Sequence, residues 1–276
     1  MAPRTWFITG TSTGFGRLLT EALLKRGDRV AATLRRPERL DELAAAHRDH
    51  LWVRRLDVTD TAELRTVVQA AFTELGRIDV VVSNAGHGVL GATEEFTDEQ
   101  VTRQLETNLL GSIQLARAVL PHLRAQGGGH LVQLSSMGGQ MAIAGSSLYH
   151  ASKWGIEGFY ESLAQEVAPF GIHTTLVEPG GAATEFVTTG MAVADPLPAY
   201  ADGPVAELRA MLADPGGYPF ADPAKMVEAI IDAATAEHPP ARLLLGADAY
   251  RAVTTALAAR LAQAERQRDL ASAVSS

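Results

Sequence analysis

The sequence contains no cysteine. Disulfides, thiolate metal sites and a cysteine nucleophile are therefore excluded. Aromatic residues make up 6% of the chain, and a formal net charge of −8 leaves no excess of cations. Nucleic-acid binders need a cationic face, so no nucleic-acid partner is expected. No apolar run approaches the ~20 residues of a membrane span. The eight histidines show no HExxH or other metal-ligand spacing, so no metal is expected. The first residues, MAPRTWFITG, enter a strand-like run at once and leave no room for a signal peptide. These absences describe a soluble protein, expected in the cytoplasm.

What is present is a rhythm. Short apolar runs recur at Trp6–Thr9, Arg29–Leu34, Leu51–Leu56, Ile78–Ser83, His130–Leu134, His173–Val177 and Arg242–Leu245. They are near-continuously hydrophobic, as strands covered on both faces are. Helical stripes lie between them, among them Leu18, Leu19, Ala22, Leu23 and Leu24, and Leu64, Val67, Val68, Ala71, Phe72 and Leu75. Asp60–Glu63 and Thr97–Gln100 read as capping boxes. The alternation predicts an α/β fold: a Rossmann-type, doubly wound parallel sheet of about seven strands with helices on both faces.

One domain covers all 276 residues in this reading. The rhythm breaks at 186–222, where Pro and Gly recur and exclude a long regular element. That stretch is expected to be a substrate-binding lid with short helical pieces. Residues 247–276, rich in Ala, Arg and Leu, are expected to form a C-terminal surface helix and tail.

Three stretches carry chemistry. The first is TGTSTGFG at 9–16, between the first strand and the first helix. Glycines there let the backbone approach a pyrophosphate, and the helix N-terminus offers it free N–H groups. The second is the end of the second strand. An acid there would bond a ribose 2′-hydroxyl, but Leu34 holds the position and Arg35 and Arg36 follow. A guanidinium pairs with a 2′-phosphate that a carboxylate would repel, so NADPH is expected over NADH, with Arg35 as the phosphate contact.

The third stretch is SSLYHASKWG at 146–155, where Tyr149 and Lys153 lie one helical turn apart. Reducing a carbonyl with a hydride leaves an alkoxide that needs a proton. A phenol titrates at about 10 and holds its proton firmly at neutral pH. A nearby cation favours phenolate, so Tyr149 is read as the acid/base and Lys153 as its tuner. Asn108, in LETNLLGS, sits mid-helix although Asn is a poor helix former. His87 and His150 are given no catalytic part. Met137, Met141, Ile143, Phe186 and Met191 are candidates for an apolar substrate pocket.

In order along residues 5 to about 184, TGTSTGFG, NAG at 84–86, SS at 135–136, YHASK at 149–153 and PG at 179–180 resemble the short-chain dehydrogenase/reductase family, in its single-domain branch. ATLRR, NAGHGVLG and the long stretch after PG look most like its NADPH-preferring hydroxysteroid and retinol dehydrogenase members. The resemblance implies that Gly10, Ser12, Gly14, Phe15 and Gly16 line the diphosphate. Asp57 and Val58 would meet the adenine, and Asn84, Ala85 and Gly86 would pass under the adenosine. Pro179, Gly180 and Thr184 would flank the nicotinamide. The family often has an arginine before that threonine; here it is Ala183. Ser136, chosen over Ser135 by its spacing to the tyrosine, would bond the substrate oxygen. Lys153 would also bond the nicotinamide ribose, and Asn108 would anchor a water relay to Lys153. Relatives usually pair through the helices carrying Asn108 and Tyr149, so a homodimer or homotetramer is expected.

The function implied is an NADPH-dependent carbonyl reductase, reversibly an alcohol dehydrogenase, acting on a hydrophobic, mid-sized ketone or aldehyde. The alternative is a non-catalytic NADP(H)-binding regulator or scaffold. A pure binder has no use for a serine and a phenol at this spacing. A sugar-nucleotide epimerase would need a larger C-terminal domain than the residues after Thr184 can build.

Overall fold

The computed structural model of the chain describes residues 3–188 and 190–274. Thr189 of the expected lid and Ser275 and Ser276 of the expected tail lie outside the described residues. In chain order the strands are β1 (Thr5–Thr9), β2 (Arg29–Leu34), β3 (Leu51–Arg55), β4 (Val80–Ser83), β5 (Gly88–Leu90), β6 (Gly129–Leu134), β7 (Ile172–Pro179), β8 (Met191–Val193) and β9 (Arg242–Leu245). The α-helices are α1 (Gly14–Lys25), α2 (Asp41–Ala46), α3 (Thr61–Leu75), α4 (Asp98–Leu105), α5 (Gly111–Ala125), α6 (Ser147–Val167), α7 (Glu185–Thr188), α8 (Pro204–Ala213), α9 (Pro223–Thr235), α10 (Ala247–Glu265) and α11 (Arg268–Ala273).

Seven of these strands form one sheet in the order β3-β2-β1-β4-β6-β7-β9. Every neighbouring pair in it is parallel. This is the Rossmann-type, doubly wound arrangement, with the direction of winding reversing between β1 and β4. A crevice opens there, beyond the carboxyl ends of the strands.

Both faces of the sheet are buried, which is why the strands read as unbroken apolar runs. Trp6, Ile8 and Val30 pack with Leu19 and Leu23 of α1 and Ile230 of α9 on one face. Phe7, Val81 and Leu131 pack with Leu64 of α3, Leu115 of α5 and Ile156 of α6 on the other.

Helix ends show where local rules held. Thr97 and Gln100 form a complete capping box on α4. Asp60 accepts from Ala62 and Glu63 N–H at the start of α3. Glu63 does not close that box; its carboxylate takes the N–H of Asp57 at 2.8 Å instead. The expected C-terminal helix is divided into α10 and α11.

The 186–222 stretch is built from α7, α8 and short 3₁₀ turns, as its prolines suggest, but it also contains β8. β8 pairs in parallel with β5, Gly88 opposite Met191 and Leu90 opposite Val193. This pairing brings the stretch against the segment that follows NAG. Glu95 fastens it further on, since its buried carboxylate accepts the N–H of Leu197 at 2.8 Å and an ion pair from Arg209 of α8.

Candidate active site

The glycine-rich loop leaves β1 and turns at Gly10, whose φ of 72° disfavours any side chain there. A Cβ on Gly10 would come within 2.8 Å of the Ala85 Cα, and one on Gly16 would overlap the Gly10 carbonyl. Asn84 fills the space so created. Its amide donates to the carbonyls of Thr9 at 2.8 Å and Gly10 at 3.0 Å, while the Thr9 hydroxyl accepts from the N–H of Asn84 and of Ala85. NAG therefore clamps the loop to the end of β4.

α1 begins at Gly14 with no acidic residue in its first turn. The Gly14 N–H donates to the Glu185 carboxylate at 3.3 Å, an anion drawn to the helix start from the far side of the crevice. Thr184 lies over the same glycine, with its Cβ 4.0 Å from where a Gly14 Cβ would be. The turn after β7 thus comes against the loop, while Phe15 packs on the core beside it and Gly180 lies against Asp248. Leu34 is buried at the end of β2, whereas Arg35 and Arg36 beyond it are exposed. Burial works against the charge on Asp57, yet donors from Thr59 and the field of Arg35 and Arg55 hold its carboxyl below the usual range. Val58 next to it is packed against Gly111.

Asn108 interrupts a helix. Glu106–Leu110 is a π-helical turn between α4 and α5, a distortion that frees a side chain to point inward. The Asn108 amide brackets His87, donating to its carbonyl at 2.7 Å and accepting its N–H at 3.0 Å. Gln104, one turn earlier, donates to the same carbonyl at 3.0 Å. Both amides approach the Ser152 hydroxyl on α6 at 3.4 Å. Gln104 was missed in the sequence, although its spacing from Asn108 is the signal that marks a shared face.

Tyr149 stands in the first turn of α6, with the Ser136 hydroxyl beside its phenol. Ser136 also accepts the Gly138 N–H at 3.0 Å, which fixes its hydroxyl. The Lys153 ammonium is buried, donates to the Leu134 carbonyl at 2.8 Å and lies 5.7 Å from the centre of the Tyr149 ring. Burial pushes the phenol up to about 12, against the Ser136 hydroxyl, and pulls the lysine down to about 8, against the charge of Glu157. The expectation that Lys153 lowers Tyr149 is thus corrected for the free protein. Desolvation outweighs it, and Tyr149 holds its proton.

His150 is a packed core residue. Its Nδ1 donates to the Gly138 carbonyl at 2.8 Å and its Nε2 accepts the Ile143 N–H at 3.1 Å, which ties the 138–143 segment to α6. His87 is held neutral by burial, down to about 4. The Phe186 ring lies 6.2 Å from that of Tyr149, and Met191 covers Gly88.

The family model for short chain dehydrogenases matches residues 4–192. The chain belongs to this family. Among its relatives is oxidoreductase BOA17 of Botryotinia fuckeliana strain B05.10, 37% identical over 268 residues that span 97% of each chain. The 3-ketodihydrosphingosine reductase of Bacteroides thetaiotaomicron is 38% identical over 187 residues, 67% of this chain and 66% of that protein. A short-chain dehydrogenase from Streptomyces avermitilis superposes with a TM-score of 0.92 at 39% identity, covering 99% of this chain and 98% of that one. As a short-chain dehydrogenase the protein is an oxidoreductase, and its cofactor is a nicotinamide dinucleotide. The structure fits that group: the loop leaves no room for side chains at Gly10 and Gly16, and the start of α1 already attracts a carboxylate. Among the described residues no helix is long and apolar enough to cross a membrane.

Proposed function

We propose that the protein is an NADPH-dependent carbonyl reductase, reversibly an alcohol dehydrogenase, working in the cytoplasm on a hydrophobic, mid-sized ketone or aldehyde. The reading is carried by one observation: the Ser136 hydroxyl and the buried ammonium of Lys153 both stand beside Tyr149. The nicotinamide supplies the hydride. Tyr149 retains its proton at neutral pH and stands ready to give it to an oxygen that is becoming an alkoxide. Ser136 donates to that oxygen and stabilises its growing charge. Lys153 supplies a cation that favours phenolate once the proton has left, and its two remaining N–H groups suit the ribose hydroxyls. Asn108 anchors the water relay to Lys153.

The cofactor would lie along the clamped crevice. Gly10, Ser12, Gly14, Phe15 and Gly16 would hold the diphosphate, displacing the Glu185 carboxylate. Arg35 would hold the 2′-phosphate, Asp57 and Val58 the adenine, and Asn84, Ala85 and Gly86 the floor beneath it. Pro179, Gly180 and Thr184 would flank the nicotinamide. Phe186, Met191, Met137 and Met141 give the substrate apolar walls, and residues 186–222 act as its lid on a single domain. A ketone on a long apolar chain, the substrate named in the Bacteroides relative, is the class such walls suit. The branch proposed is the NADPH-preferring one of the hydroxysteroid and retinol dehydrogenases.

Tyr149→Phe tests the mechanism. It should reduce turnover by roughly 10²–10⁴-fold while leaving NADPH affinity, read by fluorescence titration, intact. Parallel loss of binding and turnover would contradict the role.

A further inference from the structure

One turn beyond Lys153 on α6 stands Glu157, and Glu178 meets it from the end of β7. Both are buried, at 5% and 0% exposure. Their carboxyls lie close enough that the charge on Glu157 works against a charge on Glu178. Two buried like charges are relieved by one held proton. Arg242 on β9 reaches both, at 3.1 Å to Glu157 and 3.0 Å to Glu178. The same guanidinium is shared with Glu161 at 2.6 Å, so one cation faces three carboxyls. Gln140 donates to Glu178 at 3.3 Å and to Glu157 at 3.5 Å. Even so, Glu157 Oε1, Glu178 Oε2 and the Ser135 hydroxyl are buried without a partner. A Cβ on Gly139 would approach Glu157 Oε1 and Ser135 Oγ to 2.9 Å each, so glycine at 139 lets these groups close on one another.

A cluster that only braced β7 and β9 against α6 would balance its charges. This one is short of a cation, and the field of Glu157 falls on Lys153. We propose that Glu157 and Glu178 are positioning residues for the reaction: a buried carboxyl pair with one shared proton that keeps Lys153 charged. The proposal rests on the Tyr149–Lys153 reading above.

The charged groups bearing on the pair come from each packed element. α6 contributes Lys153 and Glu161, β9 contributes Arg242, and the turn after β6 contributes the neutral Gln140. Burial and the neighbouring Glu157 push Glu178 up to about 7, while burial pulls Lys153 down to about 8. As pH rises through neutrality the shared proton leaves first. The pair, whose Glu157 stands one helical turn from Lys153, then carries a second negative charge in the range where the lysine would otherwise discharge. The pair therefore extends the alkaline side of the range in which the ammonium persists.

Two measurements test this. Infrared spectra of the free wild-type protein should show a protonated carboxylic acid that titrates near neutral pH and is absent from Glu178→Gln. In Glu157→Gln, and to a lesser degree in Glu178→Gln, the alkaline limb of the kcat profile for carbonyl reduction should move to lower pH relative to the acid limb, by about one unit for Glu157→Gln. If Glu157→Gln does not fold, Glu178→Gln and Glu178→Asp carry the same comparison. A wild-type spectrum without a titrating protonated carboxyl overturns the pair. A titrating pair with an unmoved alkaline limb in the variants overturns its positioning role. Turnover that survives Tyr149→Phe would instead remove the Tyr149–Lys153 reading and the positioning role with it, and the infrared titration alone would judge the pair.

Discussion

Leu34 and Arg35 are adjacent but meet opposite environments at the end of β2. The leucine is 2% exposed and belongs to the core, so an acid there would be buried without a partner. The arginine projects from the strand end, where its field already reaches Asp57. Removing it should cost the 2′-phosphate a charge-assisted hydrogen bond of about 1.5–3 kcal/mol. Arg35→Ala is therefore expected to weaken NADPH roughly tenfold or more and NADH far less, by parallel titrations. Equal weakening would place the phosphate elsewhere. At this scale the shared helix face of Tyr149 and Lys153 was legible from their spacing, whereas Ser136 and Asn108 were singled out through the family resemblance. Glu157 follows Lys153 at the same spacing, but its partner Glu178 comes from β7, and no local pattern joins them. The direction of the Tyr149 shift was also hidden, because desolvation depends on what the fold places around the phenol.

Elements hold these residues through contacts that are mostly non-local. The π-helical turn at Glu106–Leu110 was foreshadowed by an asparagine in a helical run. β8 was not, since three residues cannot display a period and their partner β5 lies about a hundred residues earlier in the chain. The half-formed box at Asp60 failed for a similar reason: Glu63 found a better donor at Asp57. Glu95 shows how such a contact holds the 186–222 stretch. Its carboxylate is fully buried, takes the N–H groups of Ala92 and Leu197 and pairs with Arg209. Breaking a buried pair costs about 3–5 kcal/mol, much of it local to the tethered segment. Glu95→Gln should speed hydrogen exchange across α8 and the turn before it while the strands of the main sheet stay protected. Unchanged exchange in α8 would mean that other contacts hold this stretch.

At the scale of the whole molecule, the doubly wound parallel sheet of about seven strands was legible from the alternation of buried runs and helical stripes, since connections between parallel strands have few allowed forms. A homodimer or homotetramer was expected from the family resemblance. Leu110, Trp154 and Phe170 on and beside α5 and α6 are 49%, 42% and 46% exposed. Light scattering should give the mass of a homodimer or homotetramer, and a monomer would contradict this. The most direct test of the whole reading is consumption of NADPH by the purified protein against carbonyls from small aldehydes through aryl ketones to steroid and long-chain ketones. Turnover centred on the apolar ketones and lost in Tyr149→Phe is the expected result. Tight NADPH binding with no turnover across that range, or turnover that Tyr149→Phe leaves intact, would contradict it.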